Sequence, residues 1–215
     1  NLAIAAVGFT VTSMALPMAF FTQLARGLTP TESALLLIPM AVLSGVLAPF
    51  AGRILDRVDP RVLLVPGLSL MVVGLVGYVL LMNTEAPVLL LLIPSAIIGV
   101  ANAGMWGPLA TTATRNLPPQ QAGAGSGIYN TTRTIGSVIG SAAIAAVMQA
   151  RLEANLPGAG DAAGGDFGGG GGMPPAVAEG FSTAMGQAML LPAGVIALGV
   201  VMVLFLRRPA HLAKR

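Results

Sequence analysis

The stretch GRILDRVDPR, residues 52–61, holds five of the nineteen charged residues in a chain with 11 Lys and Arg and 8 Asp and Glu. Long apolar runs flank it on both sides. The chain of 215 residues is 55% hydrophobic and 9% charged, against about 25% charged residues in a soluble domain. Charge gathered in a short connector between greasy runs is what a chain crossing lipid requires, because a charge inside the bilayer is costly. The fold class is an all-α membrane protein, with the stretch as a surface loop.

A bilayer core needs about 20 mainly apolar residues per helix. Six such runs are present, near 2–23, 32–52, 61–82, 87–113, 125–149 and 183–206. Pro17, Pro39, Pro49, Pro66, Pro94, Pro108 and Pro192 fall inside them, and packed membrane helices tolerate such kinks. No period-two alternation supports a β-barrel. The domain plan is five helices over 1–149, a Gly-rich loop over 150–182, a last helix over 183–206 and a basic tail over 207–215.

Basic residues orient the helices. Arg53, Arg57, Arg61, Arg115, Arg207, Arg208, Lys214 and Arg215 share one side of the membrane, while the other side has Arg26 and Arg151. Eight against two places both ends and the 52–61 loop in the cytoplasm. The 150–182 loop is then external. Its glycines, Gly168 to Gly172 among them, read as linker rather than phosphate cradle, since no strand and no following Lys-Ser or Lys-Thr accompanies them. The start at Asn1, inside an apolar run, marks neither a signal peptide nor a natural N-terminus and reads as a piece of a longer protein.

Composition also excludes whole classes of function. The net charge of +3 reflects arginines at a membrane surface, not a nucleic-acid partner. Without Cys, and with His211 as the single His, no thiolate or histidine metal site is available. No metal, no cofactor and no enzymatic chemistry are expected. An Arg to Lys ratio of ten to one points to a GC-rich bacterial source, and the expected location is a bacterial cytoplasmic membrane.

Polarity sorts the helices. The third run has only Ser69 and Tyr78 as interior polar side chains, and the sixth has none after Gln187; both are expected to face lipid. The first run carries Thr10, Thr12 and Ser13 near its middle, with Met14 and Phe21 beyond, and the fourth carries Asn102, Met105 and Trp106. Polar groups at that depth need a partner or water. Thr10, Ser13, Met14, Phe21, Asn102, Met105 and Trp106 are therefore the substrate-cavity candidates. Asn102 reads equally as an amide joining two helices. The Met residues read as filler or as a polarizable, adaptable lining. In the fifth run Asn130, Arg133, Ser137 and Ser141 share a stripe, with Gly136 and Gly140 as a GxxxG on an adjoining face. Arg133 is the ionisable residue clearly inside a run, so it either snorkels to the surface or meets a partner at a gate.

Gly52, Asp56–Arg57 and Arg61 resemble the signature loop Gly-x-Leu-Ala-Asp-Arg-x-Gly-Arg-Lys of the major facilitator superfamily. Ile54 and Leu55 stand for its Leu-Ala, and Asp59 and Pro60 replace its Gly-Arg. TQLARGLTPTESALLLIP (22–39) and PPQQAGAGSGIYNTTRTIGSVIG (118–140) resemble segments of the fourteen-span drug:proton antiporter branch. The resemblance implies the C-terminal six-helix half of such a transporter, whose first and fourth helices line a central cavity. Its second and fifth helices meet the other half, and its third and sixth lie outside. It implies export of small, mostly lipophilic compounds by proton antiport and alternating access. The partners are then substrates, protons, the bilayer and an N-terminal transmembrane half that carries the coupling acids. Gly52, Asp56, Arg57, Arg61, Arg115, Asn130, Arg133, Gly136 and Gly140 are the gating candidates, with Asp56 a latch near Arg115. A transporter of one defined metabolite and a non-transporting scaffold subunit are the alternatives.

Overall fold

A computed structural model describes residues 1–114, 117–156, 173 and 175–205. It is helical, with no strand among the described residues, and six segments are long and apolar enough to cross a membrane. The first span is α1 (Leu2–Phe20), which runs on into a π-helical turn at Phe21–Ala25. The second joins α2 (Pro30–Leu35) and α3 (Ile38–Leu55). The third is α4 (Arg61–Leu81), and the fourth is α5 (Leu92–Thr114), entered by a 3-10 turn at Val88–Leu91. The fifth is α6 (Ala122–Asn155), and the sixth joins α7 (Pro175–Ala188) and α8 (Leu190–Leu204).

Prolines set the breaks in the second and sixth spans. A proline clashes with the carbonyl four residues before it and has no N–H to offer that carbonyl. Pro39 lies four residues after Leu35, where α2 ends, and Pro192 lies four after Ala188, where α7 ends. Pro30 opens α2, where a missing N–H costs nothing. Thr29 and Glu32 cap that start reciprocally: Glu32 N donates to Thr29 Oγ1 (3.2 Å) and Thr29 N to Glu32 Oε2 (2.8 Å). Gly27, at φ +64, turns the chain between the first two spans.

α1 packs along α6 and α8, α4 along α5 and α8, and α3 along α5. The spans thus follow one another around the bundle as five, one, six, three, four and two. The α1–α6 seam is made by small residues. An added Cβ at Gly140 would stand 2.6 Å from Phe9 O, and one at Gly136 would run into Ala5 O. From the other side Gly8 abuts the Arg133 carbonyl, and Ser137 Oγ donates to Gly8 O at 3.2 Å. The two backbones therefore run in direct contact, and the GxxxG joins α6 to a helix of its own half.

The third and sixth spans, expected to face lipid, each have one exposed apolar side and one buried side. α4 buries Leu64, Leu68, Met71, Leu75 and Tyr78 while exposing Val62, Val73 and Leu80. It is apolar on every side because lipid and protein interior make the same demand. The second span is the more open one, with Ile38, Val42, Val46, Phe50 and Ile54 exposed in a stripe four residues apart. The loop expected over 150–182 is also shorter at both ends, since α6 continues to Asn155 and α7 begins at Pro175. Polar side chains sustain these helix ends: Gln149 Nε2 donates to Glu153 Oε1 and Asn155 Nδ2 to Gln187 Oε1, both at 3.2 Å. The glycine run and the basic tail lie outside the described residues.

Candidate functional site

Two places in the bundle gather polar or adaptable side chains. The first joins α5 and α6. Trp106 Nε1 donates to Asn102 Oδ1, one helical turn earlier, at 3.2 Å. The Arg133 guanidinium stands over the Trp106 ring, 5.9 Å from its centroid. All three side chains are half-buried. Arg133 lies about three turns inside α6, so the indole face gives its charge a partner within the bundle instead of requiring it to snorkel. The indole N–H is in turn fixed by the Asn102 amide. A cavity candidate pair and a gating candidate thus form one connected unit.

The second place is a cavity of about 400 Å³ at the end of the bundle that carries loops 26–29 and 82–87. Met14, Met18, Met40 and Met189 line it, together with Ser33 and Tyr78. The π-helical turn of the first span contributes Thr22 and Gln23 to its wall. Such turns interrupt a regular helix and often mark functional sites. Arg26, just after that turn, donates through Nη1 to the carbonyls of Asn83 (2.9 Å) and Thr84 (2.8 Å). This strap ties the two loops together beside the cavity.

The remaining candidates fall elsewhere. Thr10 and Ser13 are fully buried, and backbone carbonyls take their hydroxyls: Thr10 Oγ1 donates to Pro192 O (3.3 Å) and Ser13 Oγ to Phe9 O (2.7 Å). Phe21 and Met105 are 1% and 0% exposed in the hydrophobic core. The expectation that these four line a cavity is corrected within this bundle: polarity at mid-helix is satisfied locally, and size drives Phe21 and Met105 inward. Of the first-span candidates, Met14 reaches a cavity wall.

At the opposite end, Gly52, Asp56 and Arg57 are exposed, and Asp56 ends α3. Asp59, where the signature loop has glycine, accepts a hydrogen bond from Arg61 N (3.0 Å), two residues on, and so forms an Asx turn into α4. Arg61 is half-buried, and its Nε has no partner. Asn130 is exposed and donates to Ser126 O at 3.0 Å. Arg115, the expected partner of Asp56, lies outside the described residues. Among the described residues, no three His, Cys, Asp or Glu side chains gather as a metal site would need.

Sequence reasoning missed Met18, Met40, Met189, Ser33 and Tyr78 as one wall. The signal available was Tyr78, a phenol in an otherwise apolar helix. Its hydroxyl is buried beside that of Ser95 on α5.

The model of the Major Facilitator Superfamily matches residues 1–141, which include Asn102, Trp106 and Arg133. The uncharacterized MFS-type transporter Rv1250 of Mycobacterium tuberculosis (strain H37Rv) is 44% identical over 209 residues, 96% of this chain and 36% of that protein. The multidrug resistance protein Stp of Mycobacterium tuberculosis is 32% identical over 153 residues, 71% of this chain and 28% of that protein. The lincomycin resistance protein LmrB of Listeria monocytogenes is 31% identical over 146 residues, 67% of this chain and 30% of that protein. The chain thus spans 28–36% of the length of these three proteins. With six membrane-crossing helices, glycine-tight seams between them, and a family match running through five of the six, the chain is a multi-pass membrane protein and belongs to the Major Facilitator Superfamily.

Proposed function

We propose that the chain is the C-terminal six-helix half of a drug:proton antiporter of the fourteen-span branch, exporting small, mostly lipophilic compounds from a bacterial cytoplasm. One observation carries this reading: the 400 Å³ cavity is walled by methionines and hydroxyls, with no carboxylate, Lys or Arg on it. A flexible thioether lining re-packs around different apolar shapes, and the absence of a charged anchor leaves discrimination poor. The names of Stp and LmrB, a multidrug and a lincomycin resistance protein, point the same way.

Export then proceeds by rocking this half against an N-terminal half around a shared site. The exposed stripe of α3 and the exposed Ile128, Ile135, Val138 and Ile139 of α6 are the apolar faces suited to that contact. The Asn102–Trp106–Arg133 unit places one positive charge beside it. Proton coupling requires a titratable group in the membrane, and the carboxylates that do this work belong to the N-terminal half. Asp56 acts as a latch on the cytoplasmic side, with Arg115 its partner, while both ends of the chain and the 52–61 loop face the cytoplasm.

A second reading rests on Arg133, whose partner among the described residues is an aromatic ring and not a carboxylate. Such a cation could anchor one anionic metabolite. Accumulation of neutral, cationic and anionic dyes by an efflux-deficient host expressing the full-length protein separates the readings. Lowered accumulation of neutral and cationic dyes, abolished by a proton uncoupler, supports drug antiport. Lowered accumulation of an anion alone supports the metabolite transporter, and no change for any dye defeats both.

A further inference from the structure

Apart from the methionine-walled cavity, the bundle holds a groove of about 560 Å³ between α4 and α5. Val73, Val76 and Leu80 line it from α4, and Leu90, Ile93 and Ile97 from the fourth span. Gly77 and Pro94 meet between them: a Cβ added to Gly77 would stand 3.2 Å from Pro94 Cβ, so the helices touch where the glycine leaves room. Every lining residue is Val, Leu, Ile, Gly or Pro. Val73, Val76, Leu80, Leu90 and Ile93 are exposed, so the groove opens sideways from the bundle. The exposed stripes of α3 and α6, which suit an N-terminal half, contribute nothing to it. In a membrane-crossing protein its opening therefore meets hydrocarbon, not water.

The dimensions of the groove select what fills it. From Val72 to Leu81 it follows α4 for about 13 Å, close to the depth of one leaflet's hydrocarbon, about 15 Å. Spread over that length, 560 Å³ corresponds to a cross-section of about 40 Å². A helix, roughly 10–12 Å across with its side chains, needs about twice that or more and does not seat there, whereas an extended hydrocarbon chain does. Left empty, the walls would lose the dispersion contacts that such a chain supplies. Leu81 and Leu90 bring the groove up to the polar 82–87 connection. There Glu85 is exposed, and Asn83 Oδ1 fixes the turn by accepting from Glu85 N (3.1 Å) and Ala86 N (2.7 Å). Arg26 donates to the Asn83 and Thr84 carbonyls of the same turn. One carboxylate and one guanidinium thus stand at this connection, complementary in charge to the ammonium and phosphate of a zwitterionic headgroup. We propose that the groove is a phospholipid site: one acyl chain from the leaflet bordering the 82–87 connection lies between α4 and α5, and a phosphatidylethanolamine headgroup rests on Glu85 and Arg26.

Native mass spectrometry of the full-length protein is the test. The protein is stripped of lipid in detergent and titrated with phosphatidylethanolamine or phosphatidylglycerol of the same chain length. One phosphatidylethanolamine should bind at low concentration, in a step resolved from the graded uptake that follows. Val73→Phe puts a ring into the groove from an exposed position and should remove that step, while Val201→Phe, at a site 50% exposed on α8, should keep it. Glu85→Gln should weaken phosphatidylethanolamine binding about two- to fivefold, the worth of an exposed ion pair, and leave phosphatidylglycerol binding no weaker. Graded uptake without a first step, equal retention in Val73→Phe and Val201→Phe, an unchanged affinity in Glu85→Gln, or no preference for phosphatidylethanolamine in the parent protein would each overturn the proposal. So would cross-linking of p-benzoylphenylalanine in place of Val76 to another segment of the protein, because a helix would then cover the groove. None of these measurements needs transport. A bound lipid in a protein that exports nothing would keep this site and defeat export, and export by a protein that retains no lipid would do the reverse.

Discussion

Replacing Gly140 by alanine adds one methyl group to a membrane helix that tolerates alanine well, yet the structure predicts a large effect. The new Cβ would stand 2.6 Å from Phe9 O and 2.8 Å from Phe9 Cα, both backbone atoms of α1. No rotamer change relieves a backbone clash. α1 must withdraw by most of an ångström to reach the 3.4 Å at which ordinary contact begins. The same movement opens the Gly8–Arg133 and Gly136–Ala5 approaches and lengthens the Ser137 Oγ bond to Gly8 O, now 3.2 Å. Overpacking of this kind costs about 1–3 kcal/mol. Gly45→Ala in α3 is the matched control, because its Cβ meets nothing within 4 Å; it should change stability by less than about 0.5 kcal/mol. Both variants of the full-length protein are unfolded by SDS from mixed micelles, and the midpoints are compared with the parent protein. If Gly140→Ala and Gly45→Ala unfold alike, the α1–α6 seam is not the close backbone contact described here.

Further outcomes follow from other contacts. Asp59→Ala removes the acceptor for Arg61 N and should cost about 0.5–1.5 kcal/mol in the same unfolding assay, the net worth of one hydrogen bond, with Asp59→Asn nearly neutral; equal losses in both would show that this bond does not hold the turn. A double-mutant cycle of Trp106→Leu and Arg133→Gln should give a coupling of about 0.5–2 kcal/mol, and strict additivity would show that the ring does not hold the guanidinium. Asp56→Asn should slow export with equilibrium drug binding unchanged, as a latch demands; parental turnover would reduce Asp56 to loop solvation. For topology, a single cysteine at Gly170 should react with an impermeant reagent in intact cells and one at Asp59 should not, and the reverse pattern would invert the assignment.

The six spans were legible in the sequence because lipid imposes a one-dimensional rule: about 20 apolar residues per crossing, with charge in between. Proline positions did not foretell the breaks: Pro39 and Pro192 stand just past them, whereas Pro17, Pro49, Pro66 and Pro108 lie inside unbroken helices. The GxxxG of the fifth run announced a close approach, but not its partner, which the packing identifies as α1. Polarity proved a poor guide to cavity walls. Thr10 and Ser13 satisfy themselves on carbonyls of the bundle and do not line the cavity, whereas Ser33 and Tyr78 do line it, and nothing local distinguishes the two cases. Asp59 looked like a departure from a motif and forms an Asx turn into α4. The pairing of Arg133 with Trp106, and through it with Asn102, joins residues 27 and 31 positions apart in the chain. Their union depends on how α5 and α6 lie against each other, which in a uniformly apolar bundle is settled by side-chain volume and glycine notches. Hydropathy carries no information about either, so the sequence by itself determined that this chain crosses a membrane six times, and only the packed helices decided which of its polar side chains meet.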